Sequence, residues 1–144
     1  MPGLLRPTDL DQMYSDADKA RMDEARLYDK KKKEQESKLR EEFMSREIHQ
    51  DVIDRINGAI SRAVKNRVHR VEIVTFPCSY CNDRGRSINV ADPDWPSSLE
   101  GFAKRAHDYF MKELRPLGYK LHAEIVSFRD GIPSEVALIL TWVK

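Results

Sequence analysis

Residues 119–143 read YKLHAEIVSFRDGIPSEVALILTWV. In the first half, Tyr119, Leu121, Ala123 and Ile125 alternate with Lys120, His122 and Glu124. That period of two predicts a strand, Tyr119 to Phe128, with one face turned to a core. Arg129-Asp130-Gly131-Ile132-Pro133 then reads as a hairpin loop in which Gly131 supplies the positive-φ position. The return strand, Glu135 to Val143, is apolar on both faces. Val136, Leu138, Leu140 and Trp142 fall on one face; Ala137, Ile139 and Val143 fall on the other.

Upstream of the hairpin lies a helix. Leu99, Phe102, Ala103, Ala106, Phe110, Leu114 and Leu117 recur at helical spacing, as a core-facing stripe requires. Ser97 and Glu100 stand three apart in capping-box order, and Pro116 with Gly118 marks the helix end. Before that helix, Arg70 to Phe76 is a short β-branched strand. Earlier still, from about Ser15 to Asn66, helix-forming residues run without proline. Their apolar stripe begins at Phe43 and continues through Ile48, Val52, Ile53, Ile56, Ile60, Ala63 and Val64, with a kink or close backbone packing expected at Asn57-Gly58.

The predicted order is α-β-α-β-β, an α+β class of two layers. Two helices cover one face of a three-stranded mixed sheet, and a long N-terminal helical arm precedes it. The strand-helix-strand order predicts parallel first and second strands joined by a right-handed crossover. The domain reading is a flexible tail at 1–8, a charged helical arm at 9–42 and the α+β domain at 43–144. Helices on one face leave the other face bare, with Val74, Phe76, Val126, Phe128, Ile139 and Val143 expected on it. An exposed apolar face of that size marks an interface, and a symmetric dimer is the expected assembly.

Composition removes several function classes. Of the 144 residues 34% are charged, yet 25 Lys+Arg nearly cancel 24 Asp+Glu, leaving a net +1. Such a balance argues against nucleic acid as a partner. The Lys30–Lys33 run has acidic residues on both sides and reads as a solvated helix face. No apolar run approaches the roughly 18 residues that span a bilayer, so no membrane association is expected. Met1 to Pro7 lacks the apolar core of a signal peptide. With two cysteines and no export signal, reduced thiols and a cytoplasmic location are expected.

The long connection Pro77–Ser98, PCSYCNDRGRSINVADPDWPSS, concentrates the candidate chemistry. Cys78-Ser79-Tyr80-Cys81 follows a strand directly, and the string from Val71 to Cys81 resembles the opening of a glutaredoxin. That family implies a thiolate held at a helix N-terminus. Here Asn82-Asp83-Arg84-Gly85, Asp92-Pro93 and Trp95-Pro96 follow, which disfavours a long helix at that point. A zinc site is the other cysteine reading: Cys78 and Cys81 supply two thiolates, with His69 and His107 as the residues that would complete four ligands. Arg84 and Arg86, flanking Gly85 and followed by Ser87, are the candidate anion or phosphate contacts. Their structural alternative is pairing with Asp83, Asp92 or Asp94. Trp95 reads as a hydrophobic plug ahead of the helix.

The pattern Cys81-x-Asp83-x-Gly85-Arg86-x-Ile88-Asn89, then Asp92-Pro93-x-Trp95-Pro96-x-x-Leu99-x-Gly101, resembles small bacterial proteins of unknown function. So do Leu114-Arg115-Pro116-Leu117-Gly118-Tyr119 and Leu140-Thr141-Trp142. This resemblance covers about residues 70–143 and implies that loop and hairpin form one structural unit. It implies no activity. The functional expectation is a non-enzymatic, self-associating protein-interaction or assembly module without a cofactor. The alternative is a small anion-binding or cysteine-dependent protein, zinc or thiol redox, built on the 77–98 loop.

Overall fold

A computed structural model describes residues 3–143. The chain divides into two compact units, Met1–Glu41 and Glu42–Lys144. The expected tail at 1–8 lies partly outside the described residues, and helix starts before that tail was expected to end: α1 spans Pro7–Ser45. Arg6 N–H donates to Asp9 Oδ2 at this start, 2.9 Å. Across its 39 residues α1 buries no side chain fully; Phe43 and Met44, in its last turn, are half-buried.

In the second unit the order is the last turn of α1, α2 (Gln50–Lys65), β1 (Arg70–Pro77), α3 (Arg86–Asn89), α4 (Gly101–Tyr109), β2 (Lys120–Arg129) and β3 (Ile132–Thr141). The expected α+β class and three strands are present. The predicted helix of residues 15–66 is interrupted at Arg46–His49 and not at Gly58, which sits inside α2. Gly58 has only Arg62 Nη1 nearby, 3.6 Å from where a Cβ would lie.

The break has a physical cause. The Arg105 guanidinium donates to the carbonyls of Met44 and Arg46, at 2.7 and 3.0 Å, and so satisfies oxygens that a helix end leaves without partners. Arg46 in turn lies over the Phe102 ring, 4.7 Å from its centroid. Phe43 enters the core here, with ring centroids 5.3 Å from Phe76, 4.8 Å from Tyr80 and 6.0 Å from Phe102.

The sheet order is β1-β3-β2, with both pairings antiparallel. The mixed sheet of the sequence reading is therefore corrected. β1 and β2 do point the same way, but β3 lies between them. The cause is burial: Val136, Ala137, Leu138, Ile139 and Leu140 are all fully buried, and a strand apolar on both faces belongs in the centre of a sheet. Asp130 and Gly131 both adopt positive φ, 52° and 78°, the two-residue turn whose twist suits a hairpin.

A bulge between Glu72 and Val74 corrects the face assignment of β1. One extra residue shifts all that follows to the opposite face. Val74 now pairs with Leu138, and Phe76 with Val136, so both point to the helices, where Phe76 joins the core of Cys78, Leu99 and Ala103. The six expected interface residues do not form one exposed face.

Helix α4 begins at Gly101 and not at Ser97. Ser97 Oγ donates to Asp94 O at 2.8 Å, and Glu100 makes no side-chain cap, so the capping box does not form. Beyond Tyr109 the helix widens into a π-turn, Phe110–Leu114, then tightens to a 3-10 turn, Arg115–Leu117. Gly118 ends it at φ 103°. Leu117, expected on the buried stripe, is exposed.

Candidate functional site

The Pro77–Ser98 connection folds as a cap on the helix side of the sheet. Cys78–Tyr80 is one 3-10 turn, too short to present a helix dipole to a thiolate. Cys78 and Cys81 are free and buried within the core that includes Phe76, Ile88, Leu99 and Val136. Burial raises both thiols; for Cys81 it acts with the nearby Asp83 carboxylate and pushes the pKa up to about 11. At neutral pH both are protonated thiols packed as small apolar groups, which opposes nucleophilic or redox use.

Gly85 explains the bend after them. Its φ is 83°, and an added Cβ would stand 3.3 Å from both Cβ and Sγ of Cys78. Asp83 then organises the turn: Oδ1 accepts from Gly85 N–H at 2.9 Å and Oδ2 from Ser87 N–H at 3.0 Å. Partial burial raises the Asp83 pKa, but the Ser87 hydroxyl beside it and the Ser87 and Gly85 N–H groups outweigh that and lower it overall. Ser87 Oγ lies enclosed beside this carboxylate and makes no other hydrogen bond among the described residues.

That arrangement changes the anion reading. The N–H groups that would have cradled a phosphate are already held by Asp83. The expected Arg–Asp pairs do not form either: Arg84 and Arg86 are exposed, and neither makes an ion pair among the described residues. The aspartates cap backbone and hydroxyl donors instead. Asp92 Oδ1 accepts from Asp94 N–H at 2.9 Å, and Asp94 Oδ2 accepts from Ser97 Oγ–H at 3.1 Å.

The four residues of the zinc reading are engaged separately. His69 meets Trp142 edge-on, centroids 6.5 Å apart, and His107 meets Trp95 at 5.7 Å. Among the described residues no three His, Cys, Asp or Glu side chains gather as metal ligands would. Trp95 plugs the core from its edge.

The outer sheet face holds a cluster that the sequence reading missed. Ile139 pairs with Glu72 on one side and His122 on the other; Ala137 pairs with Thr75 and Glu124. These neighbours share the face away from the helices. Arg70 Nη2 reaches Glu124 Oε2 at 3.2 Å across the central strand, and His122 Nε2 lies 3.0 Å from Glu124 Oε1. The His122 contact and the Arg70 charge hold the Glu124 carboxyl below its ordinary range. Register places this bridge diagonally over Ile139, whose exposure is 0%. Polar side chains thus roof the apolar centre of the face. Of the expected interface set, Val126, Phe128 and Val143 remain open, 39%, 58% and 83% exposed. The alternation of Lys120, His122 and Glu124 was the signal for this cluster, but only the strand order reveals Arg70 as its partner.

One open depression of about 400 Å³ lies at the domain end, lined by Leu117, Gly118, Tyr119, Trp142 and Val143. Among the described residues its lining brings one hydroxyl and one indole N–H, no charged group and no pair of convergent catalytic side chains. No helix among the described residues is long and apolar enough to cross a membrane. No protein-family model matches this sequence, and neither a curated protein nor a solved structure shows significant similarity to it.

Proposed function

We propose that this chain is a non-enzymatic, self-associating assembly module whose α1 arm makes the contact between copies. The observation that carries this reading is α1 itself. It is a 39-residue helix exposed at every position from Pro7 to Glu42, with Leu10, Tyr14, Leu27, Tyr28 and Leu39 among those exposed residues. A helix gains most of its stability from a packed face, so an arm of this length and composition calls for a partner helix. The folded unit supports the same reading: its cysteines are inert core residues, and its polar loop groups cap backbone.

Sedimentation equilibrium of the full chain tests the proposal. The expected mass is twice the 16.8 kDa of one chain at concentrations on the order of 100 µM. A single-chain mass throughout that range overturns it. Small-anion binding is the second reading, favoured by the exposed and unpaired guanidiniums of Arg84 and Arg86. Phosphate titration followed by amide chemical shifts, with an Arg84→Ala, Arg86→Ala variant as reference, decides it; identical shifts in both proteins remove the reading.

A further inference from the structure

We infer that two copies pair through their α1 arms in antiparallel orientation, the acidic half of each arm lying on the basic half of the other. The inference rests on the self-association proposed above and specifies its surface and register. Between Asp9 and Glu24 the arm carries six carboxylates against two cations; between Arg26 and Arg40 it carries seven cations, four of them the Lys30–Lys33 run, against three carboxylates. None of those four lysines makes an ion pair among the described residues. A parallel, in-register pair would stack like charge on like charge along the whole arm. An antiparallel pair sets each block against its opposite, which steers encounter and fixes register.

The apolar residues select the same arrangement. Advancing 100° per residue along the helix, Leu10, Tyr14, Ala17, Ala25, Tyr28 and Leu39 fall within one narrow stripe, and all are exposed. With the two-fold axis between residues 24 and 25, Leu10 of one copy lies level with Leu39 of the other, and Arg21 level with Tyr28. The second pairing sets a guanidinium beside a ring, a favourable cation–π arrangement. On one flank of the stripe, Asp18 and Asp11 of one arm lie within a residue or two of level with Lys32 and Arg40 of the other. Asp18 now pairs with Arg21 within its own helix. Such exposed local contacts contribute little and exchange readily for intermolecular ones. Since few of the stripe residues are large and apolar, the association is expected to weaken steeply with salt.

Charge exchange in the full chain tests this, because exposed helix positions tolerate reversal without loss of fold. Lys32→Glu with Arg40→Glu is expected to weaken association at least tenfold by sedimentation, with unchanged circular dichroism. Adding Asp11→Lys and Asp18→Lys to the same chain is expected to restore it. For orientation, Leu10→Cys protein mixed with Leu39→Cys protein should cross-link on oxidation, whereas Leu10→Cys alone should not. Efficient self-cross-linking of Leu10→Cys overturns the antiparallel register. A wild-type chain that sediments as one copy removes self-association altogether. A wild-type dimer indifferent to the charge reversals leaves self-association standing and overturns arm pairing.

Discussion

Gly101 shows how one residue sets the junction between helices. Its φ is +57°, and a Cβ there would lie 2.6 Å from Met44 Cα and 3.0 Å from Phe43 O. Both neighbours are backbone and cannot swing aside. Gly101→Ala is therefore expected to cost about 2–4 kcal/mol, left-handed strain and overpacking together, read from the urea midpoint. Gly118→Ala is the control, since Gly118 is also at positive φ but has nothing within 4 Å among the described residues, so strain acts alone. Asp83 makes a second prediction. Asp83→Ala removes two charge-assisted bonds and should cost about 1–2 kcal/mol at neutral pH. Because the folded pKa lies below its ordinary 3.8, the contribution is complete above that value. It is lost as pH falls through the lower folded value. The stabilities of variant and parent should thus draw together as the pH is lowered below 3.8. The carboxylates of this loop were legible in the sequence as structural groups. Their partners were not, because an aspartate two residues before an N–H caps it locally, a competition that charge counting cannot see.

At the scale of elements, every strand and the main helices were legible from periodicity, and their arrangement was not. The decisive signal was on the page: Val136 to Leu140 is apolar on both faces, which assigns β3 to the sheet centre and β1 and β2 to its edges. Chain order argued for adjacent β1 and β2, and the burial of β3 overrode it. The bulge at Ile73 carries no mark in a run of β-branched residues, yet it turns Val74 and Phe76 inward. Helix α1 ended where its apolar stripe began because Arg105, on another helix, caps it. Arg105 holds the carbonyls of Met44 and Arg46, while Phe43 in the same turn packs on Phe76 and Tyr80. Arg105→Met keeps most of the side chain's bulk and removes both hydrogen bonds. The expected loss is about 1–2 kcal/mol, with hydrogen exchange accelerating first at Met44–His49, a local opening detectable before global unfolding.

For the whole molecule, the burial pattern separates stability from assembly. Core residues run from Phe43 and Val52 to Leu140, whereas nothing upstream in α1 is buried. Removing residues 1–35 leaves two helical turns ahead of Phe43 and its contacts, so the domain's own stability should hardly change. A partner copy, however, stabilises whatever it binds by mass action, in proportion to the logarithm of its concentration. Full chain and truncated chain should therefore melt within about 3 °C of each other when dilute. The full chain should gain on concentration while the truncated chain does not. That crossing pattern distinguishes an arm that assembles copies from an arm that completes a fold. A truncated chain melting about 10 °C lower at every concentration would show that residues 1–35 serve the domain's own core and would remove the arm from assembly.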